Sequence, residues 1–111
     1  MIDNGTVTTL AGTGSQGNED TAPGTSASFY HPYGITTDGT NLYVADYSNH
    51  RIRKIVISTG AVTTVAGTGS SGSADNTTGT SASFNDPRGI TTDGTYLYVA
   101  DTKNHRIRKI E

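Results

Sequence analysis

The second half of this 111-residue chain repeats the first at a fixed offset of 55 residues, with no gap. Val7-Thr8-Thr9 returns as Val62-Thr63-Thr64, Phe29 as Phe84, and the stretch from Gly34 to Thr40 as Gly89 to Thr95. Asn49 to Ile55 recurs unchanged as Asn104 to Ile110, and pairing residues 2–56 with 57–111 leaves 17 mismatches in 55 pairs. A short period kept this well predicts a repeat architecture, in which one unit cannot bury its apolar face alone and must stack on a neighbour. Two units are too few to complete such a fold. The expected working molecule is therefore an assembly of several copies.

Apolar residues make up 32% of the chain, and about 45% once the 14 glycines are added, which allows a real but lean core. Thr and Gly are heavily used, and Thr suits a pleated, half-buried surface, so the composition reads as all-β with many turns. A net charge of −2 argues against a general attraction to nucleic acid. The chain has no cysteine, which excludes disulfides, thiolate zinc sites and cysteine nucleophiles together and leaves the compartment open. No apolar run approaches the length of a membrane span, and Met1 leads into a polar segment unlike a signal peptide.

Thr6 to Leu10, with its counterpart Ala61 to Val65, is a short β-favouring run ended by Gly12 and Gly67. A long polar stretch follows, Gly12 to Tyr33 and Gly67 to Arg88, in which Phe29 and Phe84 are the large apolar residues expected to plug it into the core. Loops of that length inside a compact repeat normally have a job. Within it, Thr25 to Phe29 could form one helical turn capped by Thr25 or Ser26, and Pro32 and Pro87 force the residues before them extended. Gly34 to Thr37 reads as a second strand, Asp38-Gly39-Thr40 as a tight primed hairpin turn, Leu42 to Ala45 as a strand buried on both faces, and Arg51 to Val56 as a fourth. Four short strands in about 55 residues, joined by consecutive tight turns, describe a propeller blade.

The residues also resemble a known family. Phe84-Asn85-Asp86-Pro87-Arg88-Gly89-Ile90-Thr91-Thr92-Asp93-Gly94, followed by Leu97-Tyr98-Val99-Ala100-Asp101-Thr102-Lys103-Asn104-His105-Arg106-Ile107, is similar to the NHL-repeat β-propeller family, and Phe29 to Ile52 matches almost as well. The Ala-Gly-Thr-Gly to Thr-Ser-Ala-Ser-Phe insertion resembles the longer-repeat branch of that family rather than its RNA-binding members. The resemblance implies blades that are four-stranded antiparallel sheets arranged in a six-bladed ring. The strands from Gly34 and Gly89 would then be innermost, 42–45 and 97–100 second, 51–56 and 106–110 third, and 6–10 and 61–65 outermost.

In that order the repeats 2–56 and 57–111 are offset from the blades. Residues 34–65 make one complete four-stranded blade, whereas 89–110 supply three strands of a second. The outer strand it lacks is expected from residues 6–10 of a neighbouring copy, which covers an edge that would otherwise invite aggregation. Three chains in a cyclic ring would give six blades, with a dimer of four or a tetramer of eight as fallbacks. The degree of repetition suggests a fragment, or a designed piece, of a longer repetitive propeller.

Candidate chemistry is sparse. His50 and His105 sit in equivalent turns beside Asn49 and Asn104, where a ring nitrogen bonded to backbone explains them better than a metal does; His31 has no repeated partner. Asp46 and Asp101 lie five residues before Arg51 and Arg106, and are expected to accept backbone and guanidinium bonds that hold the turn. The basic run Arg51-Ile52-Arg53-Lys54 reads as a solvated strand face in preference to a phosphate contact. Tyr30, His31, Tyr33 and Tyr47 fall in loops that the resemblance places on one face, with Arg88 at the position of Tyr33 in the second repeat. That face is where a glycan or peptide would bind. Near-identical blades present identical groups, and the innermost strands offer Gly, Ile and Thr. The expectation is therefore a non-enzymatic, self-assembling scaffold or binding module with no cofactor, no catalytic residues and no metal. Its partner is further copies of itself; RNA binding and metal-dependent hydrolase or lyase chemistry are weaker alternatives.

Overall fold

The computed structural model describes residues 2–111 and is all-β. Seven strands form two antiparallel sheets: β1 (Pro32–Thr37), β2 (Asn41–Asp46), β3 (Arg51–Val56) and β4 (Val62–Ala66) in the first, β5 (Pro87–Thr92), β6 (Leu97–Asp101) and β7 (Arg106–Ile110) in the second. Each is a meander in which sequential strands are neighbours, ordered β1-β2-β3-β4 and β5-β6-β7. Three-residue 3-10 turns at Gly24–Ser26 and Gly79–Ser81 occupy the expected helical turns, but no side chain caps them. Among the described residues no helix is long and apolar enough to cross a membrane.

The β1–β2 connection is a hairpin turn at Asp38-Gly39-Thr40, as expected, but without the positive φ at Asp38 that a primed Asp-Gly turn requires. Gly39 takes a φ of 95° while Asp38 stays at negative φ, so the loop is three residues long. The Asp38 carboxylate accepts the N–H of Asn41 at 2.8 Å and of Thr40 at 3.0 Å, and the Tyr43 hydroxyl donates to its other oxygen at 3.0 Å. These bonds, the Asn41 and Thr40 amides first, hold the Asp38 carboxyl below the ordinary carboxylate range. Asp93 is built and lowered the same way by Tyr96, Thr95 and Tyr98.

The sheets stack face to face. Between them lie Ala45, Ile52 and Ala66 of the first sheet and Phe84, Leu97 and Val99 of the second repeat, all buried. The alternation of the strands sends Val44, Ile55 and Val62 to the opposite face of the first sheet, where Phe29 and Ala11 pack on them only partly buried. The lean apolar content thus fills one closed interface and leaves a second one half covered. Packing of β1 on β5 brings the backbones into close approach at Gly34, where a Cβ would collide with the carbonyl oxygen of Arg88.

One expected strand does not form. Residues 6–10 have no ladder partner and are not a strand. Val7 is 92% exposed, although its equivalent Val62 is 2% exposed in β4. Across the second sheet, Ile107 is 74% exposed while its equivalent Ile52 is fully buried. The reason is geometric: β4 covers β3, and no strand among the described residues pairs with the outer edge of β7.

Gly34→Ala should push the two sheets apart and destabilise the chain by about 1–3 kcal/mol, the usual range for overpacking. Urea unfolding followed by circular dichroism measures it; a loss below the error of the midpoint would show that the sheets are not in backbone contact there.

Candidate functional site

The most highly constrained groups in each repeat surround a buried guanidinium. Arg53 and Asp46 are both fully buried, with Nη1 of the arginine 2.8 Å from a carboxylate oxygen. Arg53 also donates to the backbone oxygens of Ser28 and Glu19 at 2.8 and 2.7 Å, and to the Asp20 carboxylate at 3.0 and 2.7 Å. Asp46 further accepts the Tyr30 N–H at 2.8 Å and the Asn49 side-chain amide at 2.7 Å, and Asn49 reaches the Gly17 oxygen. Every bond recurs around Asp101, Asn104 and Arg108. A buried charge pair is tolerated only with its remaining hydrogen bonds satisfied, and here they are.

This corrects two expectations. The partners of Asp46 and Asp101 are Arg53 and Arg108, seven residues on across the β2–β3 hairpin; Arg51 shares that strand face, but it is Arg53 that lies against the loop carbonyls of Ser28 and Glu19. Arg51 and Arg106 instead make weaker contacts with the backbone oxygens of Thr68 and Ser73. The basic run is also not a solvated face, since Arg53 stacks on the Phe29 ring at 4.8 Å and Arg108 on Phe84 at 4.9 Å. A sequence signal did exist. Between residues 18 and 23 every position differs from its counterpart except Asp20, which returns as Asp75.

The histidines lie at the end of the 3-10 turns Tyr47–Asn49 and Thr102–Asn104, in the left-handed conformation, with φ of 52° at His50 and 54° at His105. His50 Nδ1 accepts a backbone N–H at 3.0 Å, but from Asp86 in the other sheet, so it ties sheet to sheet. His105 is exposed. His31 is exposed at φ 55°, with Nδ1 2.8 Å from the Ser48 hydroxyl and its ring 4.7 Å from that of Tyr30. No group of three or more His, Cys, Asp or Glu side chains is placed to hold a metal among the described residues.

Of the residues expected in loops on one face, Tyr33 instead lies in β1, as Arg88 does in β5, because the strands begin at Pro32 and Pro87; the structure brings Tyr33, Tyr47 and Arg88 together and leaves Tyr30 and His31 as a separate pair. The Arg88 guanidinium lies 4.9 Å from the Tyr47 ring centre and 5.6 Å from that of Tyr33, and donates to the Tyr47 hydroxyl at 3.1 Å. That hydrogen bond raises the Arg88 pKa further above its ordinary value. Tyr33 is 68% exposed, offering an aromatic face beside a cation.

Two hollows flank the stacked sheets. A groove of about 1230 Å³ runs along the free edge of β7, past Ala66, Asp75, Phe84, Ile107 and Arg108. An apolar hollow of about 270 Å³ opens on the far face of the first sheet, lined by Ala11, Phe29, Ile35, Val44 and Ile55 among others.

Comparison with known proteins agrees with this architecture. The NHL repeat family matches residues 29–55 and 84–110. NHL repeat-containing protein 2 of Homo sapiens is 41% identical over 92 residues, which is 79% of this chain but 13% of that protein. Among solved structures, an auxiliary nutrient binding protein from Bacteroides thetaiotaomicron superposes with a TM-score of 0.78 at 30% identity, over 92% of this chain and 28% of the other. Another, from Bacteroides ovatus, gives 0.76 at 30% identity, over 87% and 26% respectively. The chain thus spans a minor part of each protein it matches.

Arg53→Met leaves Asp46 buried without its cation and should cost about 3–5 kcal/mol, whereas Arg51→Ala should cost less than about 1 kcal/mol. Urea midpoints at one protein concentration compare the two; equal losses would show that the buried pair does not dominate.

Proposed function

Because both halves of this chain are NHL repeats, we propose that three copies close a six-bladed β-propeller serving as a non-enzymatic binding module. Each copy would lend residues 6–10 to the open edge of β7 in its neighbour. The observation that carries this reading is the unequal burial of equivalent residues: Val7 against Val62, and Ile107 against Ile52. Val7 on residues 6–10 and Ile107 on β7 are thus the exposed apolar residues whose counterparts in the first sheet are fully covered.

Copying the β3–β4 register across the 55-residue offset specifies the missing ladder. Ile52, Arg53, Lys54 and Ile55 face Ala66, Thr64, Thr63 and Val62. Ile107, Arg108, Lys109 and Ile110 would accordingly face Ala11, Thr9, Thr8 and Val7 of a second copy. Thr64 donates to Asp20 at 2.8 Å, and Asp20 in turn binds Arg53. Thr9 would do the same for Asp75, which is 87% exposed at its side chain in the single chain. A head-to-tail contact of this kind closes into a ring when its rotation allows, and the ring removes every free sheet edge.

Catalysis finds little support in the groups available, since apart from Tyr33 and Arg88 the innermost strands carry only Pro, Gly, Ile and Thr. Binding finds more. The cluster of Tyr33, Tyr47 and Arg88 combines an exposed aromatic face with a cation, a pairing suited to the faces of sugar rings or to a peptide. The nutrient-binding description of the Bacteroides thetaiotaomicron relative is in keeping with it.

Light scattering on a sizing column should give the mass of three chains at neutral pH, and removal of residues 1–11 should reduce it to that of one. A truncated protein of unchanged mass would overturn the strand exchange. On a glycan or peptide array, Tyr33→Ala and Arg88→Ala should each weaken whatever the intact protein retains by about tenfold or more, with Tyr96→Ala neutral. Uniform retention by all variants would place binding elsewhere.

A further inference from the structure

We infer that the seam between copies is a proton-sensitive joint, closed by neutral His105 of one copy against His31 of the next. The inference rests on the ring reading above. Its template is the joint inside the chain. There His50 Nδ1 accepts the Asp86 N–H at 3.0 Å and lies 3.4 Å from an Asp86 carboxylate oxygen. The other carboxylate oxygen is held by the Lys103 ammonium at 2.7 Å. Burial pushes the Asp86 carboxyl up, but Lys103 and His50 more than offset it and leave it below the ordinary range.

A shift of 55 residues carries His50 to His105, Asp86 to His31 and Lys103 to Ser48. The two free ends of the chain are built for the same joint. His105 and His50 share φ values of 54° and 52°, and His31 and Asp86 share 55° and 53°, a left-handed conformation that non-glycine residues rarely adopt without cause. His31 reaches Ser48 at 2.8 Å, as Asp86 reaches Lys103. A third feature points to a second copy at this face. Gly89, the counterpart of Gly34, likewise lies in a strand without positive φ, yet a Cβ added there would come no closer than 3.5 Å, to Ala100. Beyond the bulge between Pro87 and Gly89, no described residue takes up the space that this glycine leaves open. Stacked like the in-chain pair, it would receive the backbone of Tyr33 to Ile35 of the next copy.

The chemistry of the two joints then differs. Accepting an N–H requires an imidazole nitrogen without its own proton. If His50 is protonated, the lost bond is replaced by an ion pair with Asp86. His105 has no such recourse. Facing it from the next copy are His31, Ser48 and Tyr33; on its own chain stand Thr102, Arg106 and Lys103, the last already engaged by Asp86. None of these offers a free carboxylate. A protonated His105 would point its N–H at the N–H of His31, so the closed seam excludes a proton that the free copy accepts. The closed seam therefore binds fewer protons than the separated copies, and closure is weakened as pH falls.

The test is light scattering with far-UV circular dichroism at pH 7.5 and pH 5.0, on the intact chain and on His31→Asp, which rebuilds the in-chain joint on a backbone that Asp86 already adopts. The expected result is a trimer at pH 7.5 that separates into folded single copies at pH 5.0, while His31→Asp stays trimeric at both. An intact chain that is trimeric at both values overturns the seam and leaves the ring standing. Dissociation of both proteins at pH 5.0 also overturns it, since the sensitivity would then lie outside the histidine pair. A single copy at pH 7.5 overturns the ring reading itself.

Discussion

The rest of each repeat hangs on a charge that has been taken out of water. Arg53 and Arg108 reach from the third strand of each sheet into the loop before it. There each gathers an aspartate from the second strand, another from the loop and two loop carbonyl oxygens. A loop of about twenty residues whose regular structure is one short 3-10 turn leaves many backbone groups with no ladder to join, and a buried one is costly. The guanidinium supplies five donors in a fixed plane, which substitute for that ladder. Its flat face lies on Phe29 or Phe84, so polar order and apolar burial are set by the same side chain.

With the loop fixed in this way, a chain of modest apolar content can still stack its sheets closely. Small residues do much of that work. Ala45 and Ala66 sit in the interface beside Phe84, Leu97 and Val99, and Gly34 lets the Arg88 carbonyl oxygen of the neighbouring sheet occupy the space a Cβ would need. His50 then crosses the interface to an amide of the other sheet. The interface is consequently specified by shape and by directed bonds as well as by area, which suits a fold that must repeat at a constant angle.

The strands were largely legible because their pattern is local. Prolines at 32 and 87, the Asp-Gly pairs and the apolar run at 42–45 each state a backbone preference within a few residues. The partner of Asp46 was not legible in the same way. Position 51 is nearer in sequence and shares a strand face with 53, but only 53 lies against the Ser28 and Glu19 carbonyls, a placement defined only once the strand and its loop coexist. Likewise the hairpin turn depends on the Asp38 carboxylate reaching two amides beyond it, a choice that dipeptide composition does not decide. Residues 6–10 illustrate the remaining gap. They have the composition of a strand, but a strand exists only as one side of a pair, and the chain holds no second side for them. Among the residues expected in loops on one face, Tyr33, Tyr47 and Arg88 meet because β1 and β5 are adjacent, while Tyr30 turns to His31 instead.

The uncovered edge of β7 has a consequence for abundance. If a second copy finishes this sheet, as proposed, the sheet is complete only when another molecule is near, and the amount of complete fold depends on how much protein is present. Dilution would then leave every chain internally folded yet deprive the second sheet of its outer strand. For a closed ring of three, the complete form grows with the third power of the free chain concentration. Expression level alone could thus switch such a module between unfinished halves and a working whole, with no ligand or modifying enzyme required.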